Sequence, residues 1–286
     1  VLDSGMLEQL MDDNWLSPFP QFQTTERPDR AALELLNGKM VILCDNSPDA
    51  LILPGSFSGF MESSEDWYNR FEMASFLRIL RYLALLASVL LPGLYLAVIR
   101  FHTQILPGTL ILSFAEAREG VPFSSVVELI FLEMAFELIR EAGVRVPGSL
   151  GNAIGIVGGL VIGQAAVEAN LVSPIVVMIV ALTALGSMTV PNEEFAAAFR
   201  LVKYVFLILG GYLGIYGIVL GVYLVVGHLA GLVSFGVPYL VPFIKKERES
   251  GREEGIWRVP LRMRKLRPLY AREEQKIRLT RKGSGS

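Results

Sequence analysis

Long apolar runs with almost no charged side chains constrain this chain more than any other feature. Four of them reach membrane-spanning length, over residues 82–99, 150–169, 171–190 and 204–226. A transmembrane helix needs about 20 predominantly apolar residues. The hydrophobic content of 52% and the mean hydropathy of +0.47 agree with that interpretation. The sequence therefore predicts a mainly α integral membrane protein, a polytopic helical bundle.

One of these runs has glycine at every fourth position: Gly151, Gly155, Gly159 and Gly163. On a helix these glycines form one bare ribbon, which permits close helix–helix packing. At about 100° per residue, the opposite face carries three aliphatic and two polar side chains: Ile154, Val157, Val161, Gln164 and Glu168. Two interpretations fit this face. Either it belongs to an ordinary packed helix whose polar residues mark a helix end or bind a neighbour, or it lines a water-filled path. Periodicity alone favours the first.

Charge is distributed unevenly along the chain. Residues 1–80 carry 13 acidic and 5 basic side chains, whereas residues 244–286 carry 6 acidic and 14 basic ones. A basic segment directly after the last apolar run indicates the cytoplasmic side. The tail is either simply solvated or in contact with anionic membrane lipid. Four spans with a cytoplasmic tail place both termini in the cytoplasm.

No constellation of residues in the sequence predicts an enzyme. The single cysteine, Cys44, excludes an intrachain disulfide and a multi-cysteine metal site. Two histidines, His102 and His228, are too few for a histidine-rich metal centre. The glycines around Gly158 lie inside an apolar run with no preceding strand, so they do not form a phosphate loop. We expect no catalytic residue, metal, cofactor or nucleic-acid partner.

Residues 1–76 predict a small α+β segment, the C-terminal part of a soluble cytoplasmic domain. A helix from Pro28 to Leu36 follows the rule that proline favours the first helical turn. Residues 40–45 predict a buried strand that pairs with residues 50–54 across an Asn-Ser-Pro-Asp turn. Residues 63–81 predict either a helix at the membrane interface or an ordinary surface helix. The transmembrane domain then covers residues 77–243, followed by a basic cytoplasmic tail over 244–286.

Three shorter segments complete the predicted membrane domain. Residues 104–115 are too short to span and suit a re-entrant or interfacial position. Residues 122–142 predict an amphipathic helix with a row of acids at every fourth position, Glu133, Glu137 and Glu141. The row suits either a solvated face or a cation-attracting pore mouth. The long apolar run after residue 204 splits at Gly227-His228, so residues 229–243 return as a half-buried or interfacial segment.

Several motifs together resemble one known family. They occur in order from about residue 10 to 243, and they are Ser17–Gln21, Thr25–Asp29, Glu65–Tyr68, Arg118–Phe123, Glu141–Pro147, Ile156–Pro174 and Ser234–Tyr239. In these segments the chain resembles the A subunit of the GerA-type spore germination receptors. Several of the motifs are too long to be explained by chance.

The resemblance implies a protein of the spore inner membrane. It implies a homo-oligomer, thought to be pentameric, that acts with a transporter-like, nutrient-binding B subunit and a lipoprotein C subunit as a nutrient-gated cation channel. With the family added, the water-filled path becomes the favoured interpretation: Ile154, Val157 and Val161 form a hydrophobic constriction, and Gln164 and Glu168 offer oxygens to cations. The glycine ribbon then packs against a neighbouring subunit or against residues 171–190. The alternative is a non-conducting scaffold that couples a nutrient-binding partner to a separate channel.

Overall fold

The computed structural model describes residues 3–145, 150–243 and 255–260. Of residues 150–154, 156 and 160 it describes the backbone only, and most of the basic tail lies outside the described residues. The described chain is mostly helical, with short 3₁₀ turns at Ser64–Trp67 and Thr103–Ile105. The helices are α1 Ser4–Met11, α2 Pro28–Leu36, α3 Phe57–Phe60, α4 Phe71–Phe101, α5 Gly108–Glu116, α6 Ser125–Val144, α7 Leu150–Glu168, α8 Pro174–Met188 and α9 Glu193–Gly231. The strands are β1 Gln23–Thr25, β2 Met40–Leu43, β3 Ala50–Leu53, β4 Val233–Ser234 and β5 Val237–Pro238.

The chain divides into two compact units. The first comprises residues 1–83, 190–199 and the chain from residue 224 onward, and the second comprises residues 84–189 and 200–223. The sequence places a boundary near residue 76 and assigns residues 77–243 to one domain. In the structure, residues 224–243 instead group with the N-terminal segment.

A three-stranded antiparallel sheet in the order β1-β3-β2 forms part of the first unit. The predicted pairing of residues 40–45 with 50–54 is confirmed, because Met40 lies opposite Leu53 and Leu43 opposite Ala50. The predicted burial of residues 40–45 is wrong: β2 is an edge strand, and Leu43 is 77% exposed. The central strand β3 is buried throughout because β1, which the sequence did not predict, covers its other edge.

Segments more than 200 residues apart in the chain meet in the first unit. The Tyr239 hydroxyl donates to the Pro20 carbonyl oxygen over 2.9 Å, and the Ser234 hydroxyl donates to the Gln21 carbonyl oxygen over 2.9 Å. The Gly55 amide also donates to the Gln21 carbonyl oxygen, over 3.0 Å. The sequence predicts that residues 229–243 return as a half-buried or interfacial segment. In the structure α9 continues to Gly231, and the β4–β5 hairpin that follows packs on the N-terminal segment.

A group of aromatic rings forms much of the interior of this unit. Phe60 stacks on Phe195 with 5.0 Å between ring centroids, and Phe19 and Phe57 contact Phe199 edge-on at 5.1 and 6.3 Å. Pairs in these geometries add about 0.5–1.5 kcal/mol each beyond the area they bury. The aromatic residues thus join the N-terminal segment to the start of α9.

Asp66 holds the beginning of α4 through two arginines. Its carboxylate accepts two hydrogen bonds from Arg81, each of 2.8 Å, and one of 3.1 Å from Arg78. Arg78 is only 1% exposed. Arg78 and Arg81, at the end of the segment for which the sequence predicts an interface or surface helix, are therefore partners of a buried carboxylate. These contacts hold the pKa of Asp66 below its usual range despite the desolvation that opposes it.

Helical segments of alternating direction make up the second unit. α6 and α8 run parallel, because Ser173 contacts Glu128 near one end of the pair and Thr183 contacts Glu133 further along. α7 lies between them in sequence and runs in the opposite direction. α4 runs antiparallel to α8, since Gly186 approaches the start of this unit at Ala84. Leucine, isoleucine, valine and tyrosine side chains of these helices form one buried cluster.

Two glycines allow α4 and α9 to touch backbone to backbone. A Cβ atom at Gly210 would lie 2.4 Å from the Gly93 carbonyl oxygen, and one at Gly93 would lie 2.6 Å from the Phe206 carbonyl oxygen. Because backbone atoms cannot move aside as a side chain can, no other residue fits either position. Pro92, next to Gly93, lies inside α4.

α9 reverses direction at Gly214. This residue has φ 64° and ψ −144°, which are not helical. A Cβ atom at Gly217 would lie 2.2 Å from the Leu209 carbonyl oxygen, although residues eight apart in one straight helix are about 12 Å apart. Residues 193–213 and 215–231 are therefore the two arms of a helical hairpin. The break predicted at Gly227-His228 is wrong, because both residues are helical.

Two of the described helices, α4 and α9, are long and apolar enough to cross a membrane by length and composition. α7 and α8 cover two more of the predicted spans, and α8 has only 15 residues. A full span requires about 20 residues, so α8 is too short to cross a membrane at full length.

Acidic side chains from two elements of the first unit lie near one another. Burial and the carboxylates of Glu194 and Asp12 raise the pKa of Glu8 to about 8. Burial also raises the pKa values of Asp12 and Glu194. Folding thus makes each of the three carboxylates easier to protonate than it is in the unfolded chain.

Replacing Gly214 by alanine tests the chain reversal. We expect Gly214→Ala to destabilise the protein by about 1–3 kcal/mol, because a side chain is strained at this φ and ψ. Gly227→Ala is the matched control: it lies in a helical part of α9 with open space around it, and we expect it to stabilise by about 0.4–1 kcal/mol. Unfolding of the purified protein in detergent measures both. Equal changes in the free energy of unfolding for the two variants would contradict the chain reversal at Gly214.

The acidic group predicts how stability depends on pH. The folded-state pKa of Glu8 lies above its usual value of 4.5, so its contribution to stability is present below about pH 4.5 and is lost as the pH rises through about 8. We expect the unfolding temperature to fall across this interval, and Glu8→Gln to reduce the fall. Glu26→Gln, at an exposed position, is the control. If the unfolding temperature of Glu8→Gln falls with pH as steeply as that of the wild type, the raised pKa of Glu8 is ruled out.

Candidate functional site

The glycine ribbon of α7 packs inside the chain at two of its four positions. A Cβ atom at Gly159 would lie 2.9 Å from Phe136 Cε1 of α6, and one at Gly163 would lie 3.3 Å from Val177 Cγ1 of α8. Gly155 has no neighbouring atom within 4 Å of its would-be Cβ. The surroundings of Gly151 lie outside the described residues. Gly159 and Gly163 therefore serve contacts with α6 and α8 of the same chain.

The opposite face of α7 is exposed. Val157 and Val161 are 58% and 56% exposed, and Gln164 and Glu168 are exposed as well. The side chain of the fifth residue predicted for this face, Ile154, lies outside the described residues. The structure thus brings the four described side chains onto one free surface of the chain. We call Val157, Val161, Gln164 and Glu168 the α7 stripe.

The α7 stripe combines two kinds of chemistry along one helix. Branched aliphatic side chains at Val157 and Val161 repel water, whereas the amide of Gln164 and the carboxylate of Glu168 offer oxygen atoms one and two turns further on. Cations are held by such oxygens, and apolar constrictions block ions when they lose water. A stripe of this kind suits the wall of a narrow aqueous path better than contact with hydrocarbon, where a carboxylate is costly.

A buried polar group supports the turn between α7 and α8. The Glu128 carboxylate, 1% exposed, accepts a 3.0 Å hydrogen bond from Arg118 and a 2.9 Å hydrogen bond from the Ser173 amide. Arg118 also donates to the Ser125 hydroxyl. In the sequence, Arg118 and Ser173 stand out only as members of the motifs Arg118–Phe123 and Ile156–Pro174, with no role predicted for either. Their partner is Glu128, which no local pattern marks.

The acidic row of α6 does not share one environment. Glu141 is exposed and pairs with Arg145, but Glu133 is buried. The Glu133 carboxylate accepts a hydrogen bond from the Lys203 ammonium of α9, and Glu137 pairs with Arg200 at 3.0 Å. The solvated-face interpretation is therefore wrong for Glu133. The signal that was missed is the matching spacing of acids on α6 and bases at Arg200 and Lys203.

Both histidines have a hydrogen-bond partner within the protein. His228 Nε2 lies 2.9 Å from the Ser17 hydroxyl oxygen, and His102 Nδ1 lies 3.2 Å from the Ala97 carbonyl oxygen. Within residues 3–145, 150–243 and 255–260, no three His, Cys, Asp or Glu side chains are grouped so that they could hold a metal ion.

Known proteins resemble this chain over nearly its whole length. It is 44% identical over 278 residues to spore germination protein KA of Bacillus subtilis, covering 97% of this chain and 51% of that protein. It is 45% identical over 242 residues to spore germination protein A1 of the same species, covering 85% of the chain and 50% of that protein. An uncharacterized membrane protein of B. subtilis, YfkQ, is 45% identical over 240 residues, or 84% and 47% of the two chains.

The chain thus spans about half the length of the curated relatives it matches. No solved structure matches it. The family model described as Bacillus/Clostridium GerA spore germination protein matches residues 1–270. This match and the identities to the relatives agree with the resemblance that the motifs indicate, and the chain belongs to the GerA spore germination protein family.

Proposed function

We propose that this chain is the membrane part of an A subunit of a nutrient-responsive spore germination receptor. In this proposal, several copies surround a nutrient-gated cation path in the spore inner membrane, and they act with a nutrient-binding B subunit and a lipoprotein C subunit. Support comes from the family and from the names of the relatives, which are spore germination proteins. Because the relatives are twice as long, the activity of the complete receptor is part of the proposal.

The observation that carries the proposal is the exposed α7 stripe. Gly159 and Gly163 on the other side of α7 already contact α6 and α8, so the stripe is the face that remains for other molecules. A glutamine and a glutamate on a helix this apolar are costly against hydrocarbon but not against water. Around an axis of several subunits, the stripes would enclose water, with Val157 and Val161 as the constriction. The backbone at Ile154 extends the same face.

The helix directions favour a membrane domain with both flanks on one side. α4, α6, α7, α8 and the two arms of α9 give six segments of alternating direction, and an even number returns the chain to its starting side. The four spans expected from the sequence have the same parity. The excess of basic residues after residue 244 assigns that side to the cytoplasm. The Gly214 turn would then lie on the opposite side.

Substitution of the α7 stripe tests conduction. We expect Val161→Ala to raise the nutrient-independent leak by at least about tenfold, because it removes about two CH₂ groups of apolar surface per subunit, or about 1.6 kcal/mol. We expect Glu168→Gln to lower the preference for cations over anions, since it removes one negative charge per subunit. Ion flux from liposomes that hold the complete receptor, with and without nutrient, measures both.

Two control variants match these substitutions in chemistry and exposure. Val205→Ala removes the same surface at a position of α9 that is 47% exposed, and Glu141→Gln removes an exposed carboxylate of α6. We expect neither to change the leak or the cation preference. If both stripe variants conduct like wild type and the purified protein is a monomer or dimer in detergent, the chain is a non-conducting scaffold that couples its partners to another channel.

A further inference from the structure

The Glu133 carboxylate connects three helices. Its Oε1 accepts a 3.2 Å hydrogen bond from the Thr183 hydroxyl of α8, and its Oε2 accepts a hydrogen bond from the Lys203 ammonium of α9. Glu133 and Lys203 are 2% and 6% exposed. A single side chain of α6 therefore reaches both α8 and α9 inside the apolar second unit.

A second set of charges lies one turn away and is more exposed. Glu137 pairs with Arg200 of α9 at 3.0 Å, and Arg140 donates to the Ser187 hydroxyl of α8 over 2.9 Å. The carboxylate of Glu137 is 36% exposed. These contacts join the same helices as Glu133 does, but solvent weakens them. The buried pair is therefore the stronger of the two connections.

A buried ion pair of this kind adds little to the free energy of unfolding, but it fixes the relative position of the two helices that carry its charges. Desolvating both charges costs about as much as their attraction returns, whereas removing one partner leaves an unpaired charge in an apolar surrounding. The helices can therefore separate at this point only by exposing a charge to the interior. The pair thus favours one discrete position of α6 relative to α8 and α9.

α7 is held by the part of α6 next to Glu133. Phe136, one turn further along α6, fills the space that Gly159 leaves, and Ile139 lies beside Gly158 at 3.5 Å from its would-be Cβ. α7 also contacts α8, through Gly163 and Val177. Both helices that carry α7 are thus bound by the Glu133 carboxylate, and a shift of α6 moves the α7 stripe with it.

We propose that Glu133, paired with Lys203 and Thr183, is the positioning residue that sets where the α7 stripe lies. The consequence of this inference for gating rests on the proposed function. The effect of Glu133 on the position of α7 does not, because it can be measured whether or not the protein conducts ions. Opening of the path would then require the Glu133 contacts to rearrange, and loss of one partner would shift α7 without any change in the stripe.

Thiol labelling at the stripe measures this position without any ion flux. In a Cys44→Ser background, Val161→Cys is the one cysteine of this chain, and its rate of modification by a charged thiol reagent in the complete receptor is recorded on the peptide that contains residue 161. We expect Lys203→Met and Glu133→Gln each to change this rate by roughly two- to thirtyfold. The charge-reversed pair Glu133→Lys with Lys203→Glu should return it toward the wild-type rate.

Thr183→Val and Glu141→Gln complete the design. Thr183→Val is nearly the same size and removes the α8 contact of Glu133 together with the 2.8 Å hydrogen bond from the same hydroxyl to the Val180 carbonyl oxygen. It leaves both charges in place, so it keeps the test valid if the charge variants do not assemble. We expect it to shift the labelling rate in the same direction and by less. Glu141→Gln, on the same helix but exposed, should leave the rate unchanged. Wild-type labelling rates in Thr183→Val and in every charge variant that assembles would overturn the proposal, even if those variants unfold at lower temperature.

The labelling result is independent of the test of conduction. If stripe variants leave ion flux unchanged but Lys203→Met alters labelling at residue 161, the channel proposal fails and the positioning role of Glu133 stands. If flux responds to the stripe variants but labelling is the same with and without the Glu133 contacts, the positioning role fails and the channel proposal stands.

Discussion

Backbone-to-backbone contact between helices is the constraint on which the second unit depends. α4 approaches the first arm of α9 very closely at Gly93 and Gly210. A methyl group on either glycine would overlap the backbone of the other helix. Such contacts gain dispersion energy because packed helices have many atoms within van der Waals distance. The remaining helices then pack around this pair, and the buried side chains of α6 and α8 complete the cluster that contains Leu96 and Leu207.

The two buried carboxylates of α6 are paired on both of their oxygens. Glu128 and Glu133 are both buried on α6, and each uses both carboxylate oxygens: Glu128 for Arg118 and the Ser173 amide, Glu133 for Lys203 and Thr183. Such groups are tolerated in an apolar interior only when they are paired in this way. The α7 stripe differs, because Gln164 and Glu168 are exposed with no such partner among the described side-chain contacts. This contrast distinguishes the buried, paired carboxylates of α6 from the exposed polar side chains of α7.

Local patterns in the sequence predicted local structure well. The helix that begins at Pro28 and the strands on either side of the Asn46 turn lie where their own residues indicate, because a proline at a helix start and a polar turn between apolar runs act over a few residues. The two faces of α7 also follow from periodicity within a single helix. Their exposure depends on which helices cover α7, and residue spacing within α7 does not contain that information.

The features that the sequence did not predict depend on residues far apart in the chain. Glu133 and Glu141 have the same spacing and chemistry on α6, yet only Glu133 faces Lys203, which lies 70 residues later. Gly214 and Gly227 are both glycines in one apolar run, and the break occurs at Gly214 because there the second arm folds back on Leu209. The contact between Tyr239 and Pro20 likewise has no signal in either segment alone.

The first unit is made of segments that are far apart in the chain, so they are synthesised at different times. Its N-terminal part ends at residue 83, and its next part starts at residue 190, so roughly 106 residues are synthesised between them. At about 5–20 residues per second, that interval lasts about 5–20 seconds. During this time Phe19, Phe57 and Phe60 have no Phe195 to contact. The nascent chain must therefore keep an aromatic surface from aggregating until α9 emerges from the ribosome.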